Sequence, residues 1–291
     1  MYFCPVAIPT KKITLKKSPK KKKSAKRGSL PLKWIVAIIA LVALALSPFY
    51  YGYVVKTLTS TLRWTKDIGN KPHYRTYKSF GIRIPDKYRI HGIDVSQYQG
   101  IINWQKVKKM QQDSVRISFA FIKATEGIVI TDPYFQRNWR ECKKAGLTCG
   151  AYHYFRPKYN GKLQAKFLLQ NVTPKKGDLP IVVDVESLDG TTPEQMRLQL
   201  TAFLQVVTAK TKAKPIIYSG LKFYEDNLAG FYPDYLLWLS NFDHPDLAVS
   251  PATNWRFWQH SFRARVSGIY SRVDFDAFKG DSLAFRKMLV P

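Results

Sequence analysis

Eight short apolar runs follow one another along most of the chain: Ile90–Val95, Phe119–Lys123, Thr148–Phe155, Pro180–Val185, Pro215–Ser219, Tyr235–Leu239, Arg256–Gln259 and Arg272–Phe275. Most are continuous rather than alternating, the pattern of parallel strands covered on both faces. Longer amphipathic stretches separate several of them. Asp132–Ala145 opens on Asp-Pro and stops before Gly146, while Thr192–Thr211 offers Thr192 as N-cap, Pro193 in the first turn and Glu194 behind it. Strands alternating with helices imply an α/β fold built from βαβ units. About eight strands in roughly 200 residues predict a TIM-like β/α barrel with some helices missing.

The barrel would occupy residues 89–291, and charge organises what precedes it. Of 47 Lys and Arg against 20 Asp and Glu, eleven basic residues and no acid fall in residues 1–33, and the first acid of the chain is Asp67. Directly after this tail, residues 34–55 (WIVAIIALVALALSPFYYGYVV) carry no charge. That is long enough for a transmembrane helix, which needs roughly 20 residues. Trp34 at one end and Tyr50, Tyr51 and Tyr53 at the other suit the two membrane interfaces, and the basic flank sets the N-terminus inside. The expected topology is a single-pass protein of a bacterial cytoplasmic membrane, its barrel in the periplasm or exterior. A cleaved signal peptide, with Ala43-Leu44-Ala45 as cleavage box and a secreted product, is the competing reading. Residues 56–88, polar and basic, read as a stalk.

Acids are scarce, so their positions carry information. Asp94 ends the first run, Asp184 and Glu186 close the fourth, and Asp274 lies in the last. All four are expected at the C-terminal ends of strands, where β/α barrels place their active sites. Strand side chains alternate faces, so Asp184 and Glu186 point the same way and Val183 and Val185 point outward to the helices. Two neighbouring carboxyls repel and one keeps its proton, which is what glycoside hydrolysis needs: a proton donor beside a charge stabiliser or nucleophile. Burying such a pair without a use for it is costly. Tyr98, Tyr152, His153, Tyr154, Tyr218, Trp238 and Gln259 accompany the acids as candidate sugar-binding residues, through stacking faces, hydroxyls and an amide. Simple core packing accounts for about half of the aromatics, since only one strand face lines a cleft.

With three cysteines and five histidines, no metal site or cofactor is expected. His153 and His91 read as cleft or core histidines. Cys142 and Cys149, seven apart, would form a disulfide in an exported domain if the strict geometry is met.

These segments resemble glycoside hydrolase family 25, the Chalaropsis-type lysozymes or N-acetylmuramidases, over about residues 89–281. The matching pieces are His91-Gly92-Ile93-Asp94-Val95-Ser96 with Gln99-Gly100 and Trp104, Phe121–Gly127, Gly150–Phe155, Asp184-Val185-Glu186, Ile217-Tyr218-Ser219, Leu237-Trp238-Leu239, Trp258-Gln259 and Val273-Asp274. The resemblance implies a flattened barrel with fewer helices than strands. It also implies cleavage of the β-1,4 bond between N-acetylmuramic acid and N-acetylglucosamine in peptidoglycan. Glu186 would be the general acid, and Asp184 would stabilise the acetamido group or the oxocarbenium-like centre. Asp94 and Asp274 would complete an acidic floor. Both a covalent intermediate and participation of the substrate's acetamido group stay open. One departure stands out: where the family often has Asn two residues after the last Asp, this chain has Asp276.

The formal net charge is +27 and stays strongly positive without the tail, which suits an anionic wall polymer. The expected partners are peptidoglycan strands and, through the N-terminal helix, a membrane; no nucleic-acid module is visible, and a monomer is expected. The alternative to an enzyme is a catalytically silent peptidoglycan-binding module, against which the complete set of four acids argues.

Overall fold

The computed structural model describes residues 31, 33, 34, 36, 74–242, 244 and 246–291. The basic tail, nearly all of the expected span at 34–55 and residues 56–73 lie outside the described residues. Among the described residues, no helix is long and apolar enough to cross a membrane.

The chain first forms a hairpin of β1 (Tyr74–Tyr77) and β2 (Ile82–Pro85). It continues through β3 (Ile90–Val95), α1 (Trp104–Lys109), β4 (Gln111–Gln112), β5 (Val115–Glu126), β6 (Ile130–Thr131), α2 (Phe135–Lys144), β7 (Thr148–Tyr154) and α3 (Gly161–Asn171). The second half holds β8 (Val182–Asp184), α4 (Pro193–Thr211), β9 (Ile216–Gly220), α5 (Leu221–Asn227), β10 (Leu237–Ser240), β11 (Trp255–Ala264), β12 (Val273–Phe278) and α6 (Ser282–Lys287). Each of the eight apolar runs read from the sequence is a barrel strand. They pair in the order β3, β5, β7, β8, β9, β10, β11, β12 and back to β3, a closed barrel. Both expected helices form. Thr192 accepts from the Gln195 amide in a capping box, with Pro193 as the first helical residue, and Gly146 at φ 73° stops the chain after α2.

Strand alternation sorts the side chains into two layers. Ile90, Phe119, Phe121, Val182, Ile216 and Phe257 fill the barrel, while Ile93, Ala120, Ile122, Val183, Val185, Ile217 and Leu239 pack outward against the helices. Two glycines make the interior possible. A Cβ on Gly92 would stand 2.3 Å from the Phe119 ring, and one on Gly150 would stand 2.6 Å from Phe121. Phe285 of α6 plugs the lower end, its ring 5.1 Å from Phe278 and 5.7 Å from Phe119.

Two sequence expectations need correction. β12 runs antiparallel to both β11 and β3, so the barrel is not uniformly parallel. And residues 74–88 are not stalk. Their hairpin buries Tyr77, Phe80, Ile82 and Ile84 in the outer core, with Phe80 edge-on to Phe275 at 5.3 Å. The Arg265 amide donates to the Phe80 carbonyl, and Tyr88 meets Trp255 and Trp258 edge-on. Among the described residues no helix follows β10 or β11, and the hairpin covers part of the apolar outer face there. A polar-looking segment becomes part of the domain because its few apolar residues alternate correctly for one buried strand face.

Candidate active site

The acids converge on one end of the barrel, by two routes. Asp94 and Asp184 sit at the C-terminal ends of β3 and β8, and Glu186 follows two residues beyond Asp184. Asp274, by contrast, is the second residue of β12. Because that strand is reversed, its beginning reaches the same rim, and Asp274 pairs directly with Asp94. The expectation that all four acids lie at C-terminal strand ends therefore fails for Asp274, although its place in the site does not. As alternation requires, Val183 and Val185 face the outer core.

Glu186 is the solvent-facing acid, while Asp94 and Asp184 are buried and Asp274 is half-buried. Burial holds the Asp184 carboxyl well above the usual range, and the charge of Glu186 adds to this; its Oδ1 finds no hydrogen-bond partner among the described residues. Burial also raises Glu186, against opposing contributions from the Tyr218 hydroxyl and the Lys123 ammonium. Asp274 is pushed up to about 6 by burial and by the charge of Glu186. Asp94 is raised by burial, then by Asp274 and Asp276.

A hydrogen-bonded relay supports this floor. The Tyr218 hydroxyl donates to Gln259 Oε1 at 2.8 Å, and Gln259 Nε2 donates to Asp94 Oδ2 at 2.6 Å. Trp238 Nε1 donates to Asp276 Oδ1 at 2.9 Å, and the Trp238 ring stacks on Phe121 at 4.5 Å. Trp238 is only 2% exposed, so it is the base of the site and offers no face to a sugar. Tyr152 and Tyr218 line the same interior, and Tyr98, 81% exposed, stands on the rim just after β3.

His153 is not in the cleft. It points outward from β7, bonded to Thr125 Oγ1 and Gln164 Oε1 and stacked on Phe203 of α4. The odd position beside inward Tyr152 and Tyr154 puts it on the helix side, where burial lowers its pKa to about 4.

Sequence reasoning passed over a charged clamp beside the acids. Glu126 Oε2 takes the Lys123 ammonium at 2.8 Å, and Glu126 Oε1 takes Arg156 at 2.6 Å. Both cations lie 4.9 Å from the Tyr154 ring centroid, Lys123 on the neighbouring strand β5 and Arg156 in the loop just after Tyr154. Arg156 and Lys158 also reach Asp189, a residue at φ 51° in the turn after Glu186. The clamp thus fixes both Tyr154 and the loop that carries Glu186. A lysine inside the apolar run Phe-Ile-Lys-Ala was the available signal, since a cation there needs an anionic partner. Asp276 was visible only as a departure from a familiar pattern. Among the described residues, no group of three or more His, Cys, Asp or Glu could hold a metal ion.

The sequence profile of glycosyl hydrolases family 25 matches residues 93–269. The protein YegX of Escherichia coli O6:H1 is 44% identical over 250 residues, covering 85% of this chain and 91% of that one. Lysozyme M1 of Streptomyces globisporus is 32% identical over 237 residues, 76% of each chain. Among solved structures, a family 25 glycosyl hydrolase from Bacillus anthracis superposes with a TM-score of 0.65 at 30% identity, covering 75% of this chain and 99% of that chain.

Proposed function

The chain belongs to glycosyl hydrolase family 25 and is a glycoside hydrolase, and on that premise we propose that it is a muramidase acting on peptidoglycan. The bond cut is the β-1,4 link between N-acetylmuramic acid and N-acetylglucosamine. Glu186 is the general acid, protonating the leaving oxygen. Asp184, behind it on the same strand face, stabilises the acetamido group or the positive charge that develops at the sugar. Asp94 and Asp274 form the acidic floor, and Tyr98, Tyr152, Tyr154, Tyr218 and Gln259 hold the sugars. One observation carries this reading: Glu186 faces solvent with a raised proton affinity while the buried Asp184 lies two residues away on the same face. A bound glycan would cover Glu186 and desolvate it further, strengthening its hold on the proton.

The proposed location is the outer side of a bacterial cytoplasmic membrane, with residues 34–55 as anchor and residues 1–33 inside. Secretion after signal cleavage is the variant of this reading. The bond joining Cys142 and Cys149 supports an exported, oxidising setting. Protease treatment tests the topology. In spheroplasts, whose outer membrane is opened, protection of the barrel from a protease that degrades it in lysed cells would exclude this topology.

The activity test incubates the full chain, solubilised in detergent, with purified peptidoglycan and measures new reducing ends. Glu186→Gln should lose at least about 10²-fold, the usual scale for a general acid. Absence of reducing ends with the unaltered protein would overturn the enzymatic reading. Equal activity in the variant would overturn the role of Glu186.

A further inference from the structure

A groove of about 480 Å³ lies beside the acid site. It is walled by Ile101 and Lys106 from the segment after β3, by Arg137 and Glu141 of α2, and by Tyr270 from the loop that enters β12. The segment after β3 leaves the strand end that carries Asp94, and the loop enters the strand that carries Asp274. The groove therefore shares the acids' end of the barrel. Two hydrogen bonds stitch its walls together. Gln99 Nε2 donates to the carbonyl of Arg272, two residues before Asp274, at 3.1 Å, and the Asn103 amide donates to the Gly268 carbonyl at 2.9 Å. Tyr98, on the rim of the acid site, is three positions from Ile101, so at most about 11 Å of backbone divides the rim from the groove.

The lining combines apolar faces with uncommitted positive charge. Ile101 and Tyr270 are both exposed, Tyr270 fully so, on segments that the stitches hold in place. Arg137 spends one guanidinium nitrogen, Nη1, on the Ile102 carbonyl at 3.1 Å and on Asn138 Oδ1 at 3.3 Å. Those contacts orient the guanidinium and leave its Nε and Nη2 without partners among the described residues. Lys106 is exposed and has no acid partner among the described residues. Glu141, the acid on the wall, is already engaged: its Oε1 accepts from Arg140 at 2.9 Å and from Lys144 at 3.3 Å. Two free cations beside an aliphatic and an aromatic face match a chain that carries carboxylates and small apolar groups. A neutral sugar would leave the cations unanswered.

We infer that this groove binds the peptide stem of the peptidoglycan strand whose sugars occupy the acid cleft. A stem carboxylate pairs with Arg137 and Lys106, and the stem's small side chains lie against Ile101 and Tyr270. Geometry permits one molecule to fill both places, because a stem of four or five residues extends to about 13–18 Å, more than the backbone between rim and groove. The groove then sets specificity: glycan that carries its peptides is cut in preference to bare glycan. The inference rests on the muramidase reading for its catalytic consequence, but peptide binding itself does not depend on that reading.

Two measurements on the full chain in detergent test this. The first is saturation-transfer NMR with the free stem tetrapeptide, released from peptidoglycan by an amidase. Transfer to its methyl groups should be strong with the unaltered protein. It should fall with the same peptide amidated at its carboxyls, and with the double variant Lys106→Glu/Tyr270→Ala. Tyr270→Ala alone, which removes only an exposed ring, should give part of that loss. No transfer, or equal transfer in all arms, would overturn the proposal. If neutral N-acetylglucosamine oligomers lose transfer in the variant while the peptide keeps it, the groove is a further sugar site and the proposal is likewise overturned. The second is the ratio of kcat/KM on peptidoglycan with its stems to that on amidase-stripped glycan. That ratio should be at least about tenfold for the unaltered protein, the scale of one charge-assisted contact, and should approach one in the double variant. A ratio unmoved by the variant would overturn the proposal. If neither substrate yields reducing ends, the muramidase reading fails while the NMR titration still decides the peptide site.

Discussion

Asp94 and Asp274 stand directly opposite each other on antiparallel neighbours, β3 and β12. That pairing is a consequence of strand reversal, and it places a half-buried acid titrating at about 6 within range of Glu186. The two carboxyls repel each other when both are ionised, so the proton they share as a pair is held to higher pH than either acid would hold it alone. Asp274→Asn is neutral at every pH. Its activity on peptidoglycan should match that of the unaltered protein below pH 6 and fall off sooner above it. A loss of roughly tenfold near pH 7 corresponds to one pH unit of displacement. Overlapping pH profiles of kcat/KM for the two proteins would remove Asp274 from the control of Glu186.

Tyr218 touches two parts of the machinery at once. Its hydroxyl lies between Gln259 Oε1 and Glu186 and has one proton to give; turned to Glu186 it favours the ionised carboxylate, turned to Gln259 it orients that amide. Tyr218→Phe should therefore raise the proton affinity of Glu186 and move the alkaline limb of kcat/KM to higher pH. The lost bond to Gln259 also loosens the donor to Asp94. A fall in kcat of roughly tenfold, near 1.4 kcal/mol, is expected at the optimum. An alkaline limb that stays put or moves down would contradict the assigned contact.

The sequence exposed the barrel because eight runs each had to be apolar on both faces, a demand that composition cannot hide. It exposed Asp184 and Glu186 because a two-residue spacing has a fixed meaning on a strand. The same rule, applied to Tyr152 and His153, would have put the histidine outside. The reversal of β12 left no mark, since a short buried strand reads alike in either direction. The hairpin at 74–85 was masked by its exposed Arg75, Thr76 and Arg83, and its partners, Phe275 and Trp258, lie far along the chain. The Glu126–Arg156 ion pair spans thirty residues and depends on strand adjacency that no local pattern encodes.

Cys142 of α2 and Cys149 of β7 are joined and both buried. Their link closes a short loop between a helix and its following strand, so it restricts the unfolded chain by only about 2–3 kcal/mol. For a domain of this size, the double variant Cys142→Ala/Cys149→Ala should melt about 5–10 °C lower. A reductant should lower the melting temperature of the unaltered protein by a similar amount and leave the double variant unchanged. Equal sensitivity of both proteins to reductant would exclude the bond in solution.

His91 and His260 lie buried on the outer face of β3 and β11, 5.7 Å and 5.5 Å from the Phe275 ring that the hairpin covers. Burial drives their pKa values down to about 4 and about 3, and His260 has no partner on either ring nitrogen among the described residues. Between these values and the ordinary 6.5, the unfolded chain binds more protons than the folded one. Stability is thus complete above pH 6.5 and declines as the pH falls through the window. The buried acids act oppositely, because they hold protons in the folded state, so total acid stability does not isolate the histidines. The comparison with His260→Leu does, since the acids contribute equally to both. The stability lost between pH 7 and pH 4 should be smaller in His260→Leu by about 3 kcal/mol, with stability at pH 7 unchanged or higher. Denaturant titrations at the two pH values measure this. An identical loss in both proteins would mean that His260 is already hydrated or paired, and the hairpin would then not seal this face.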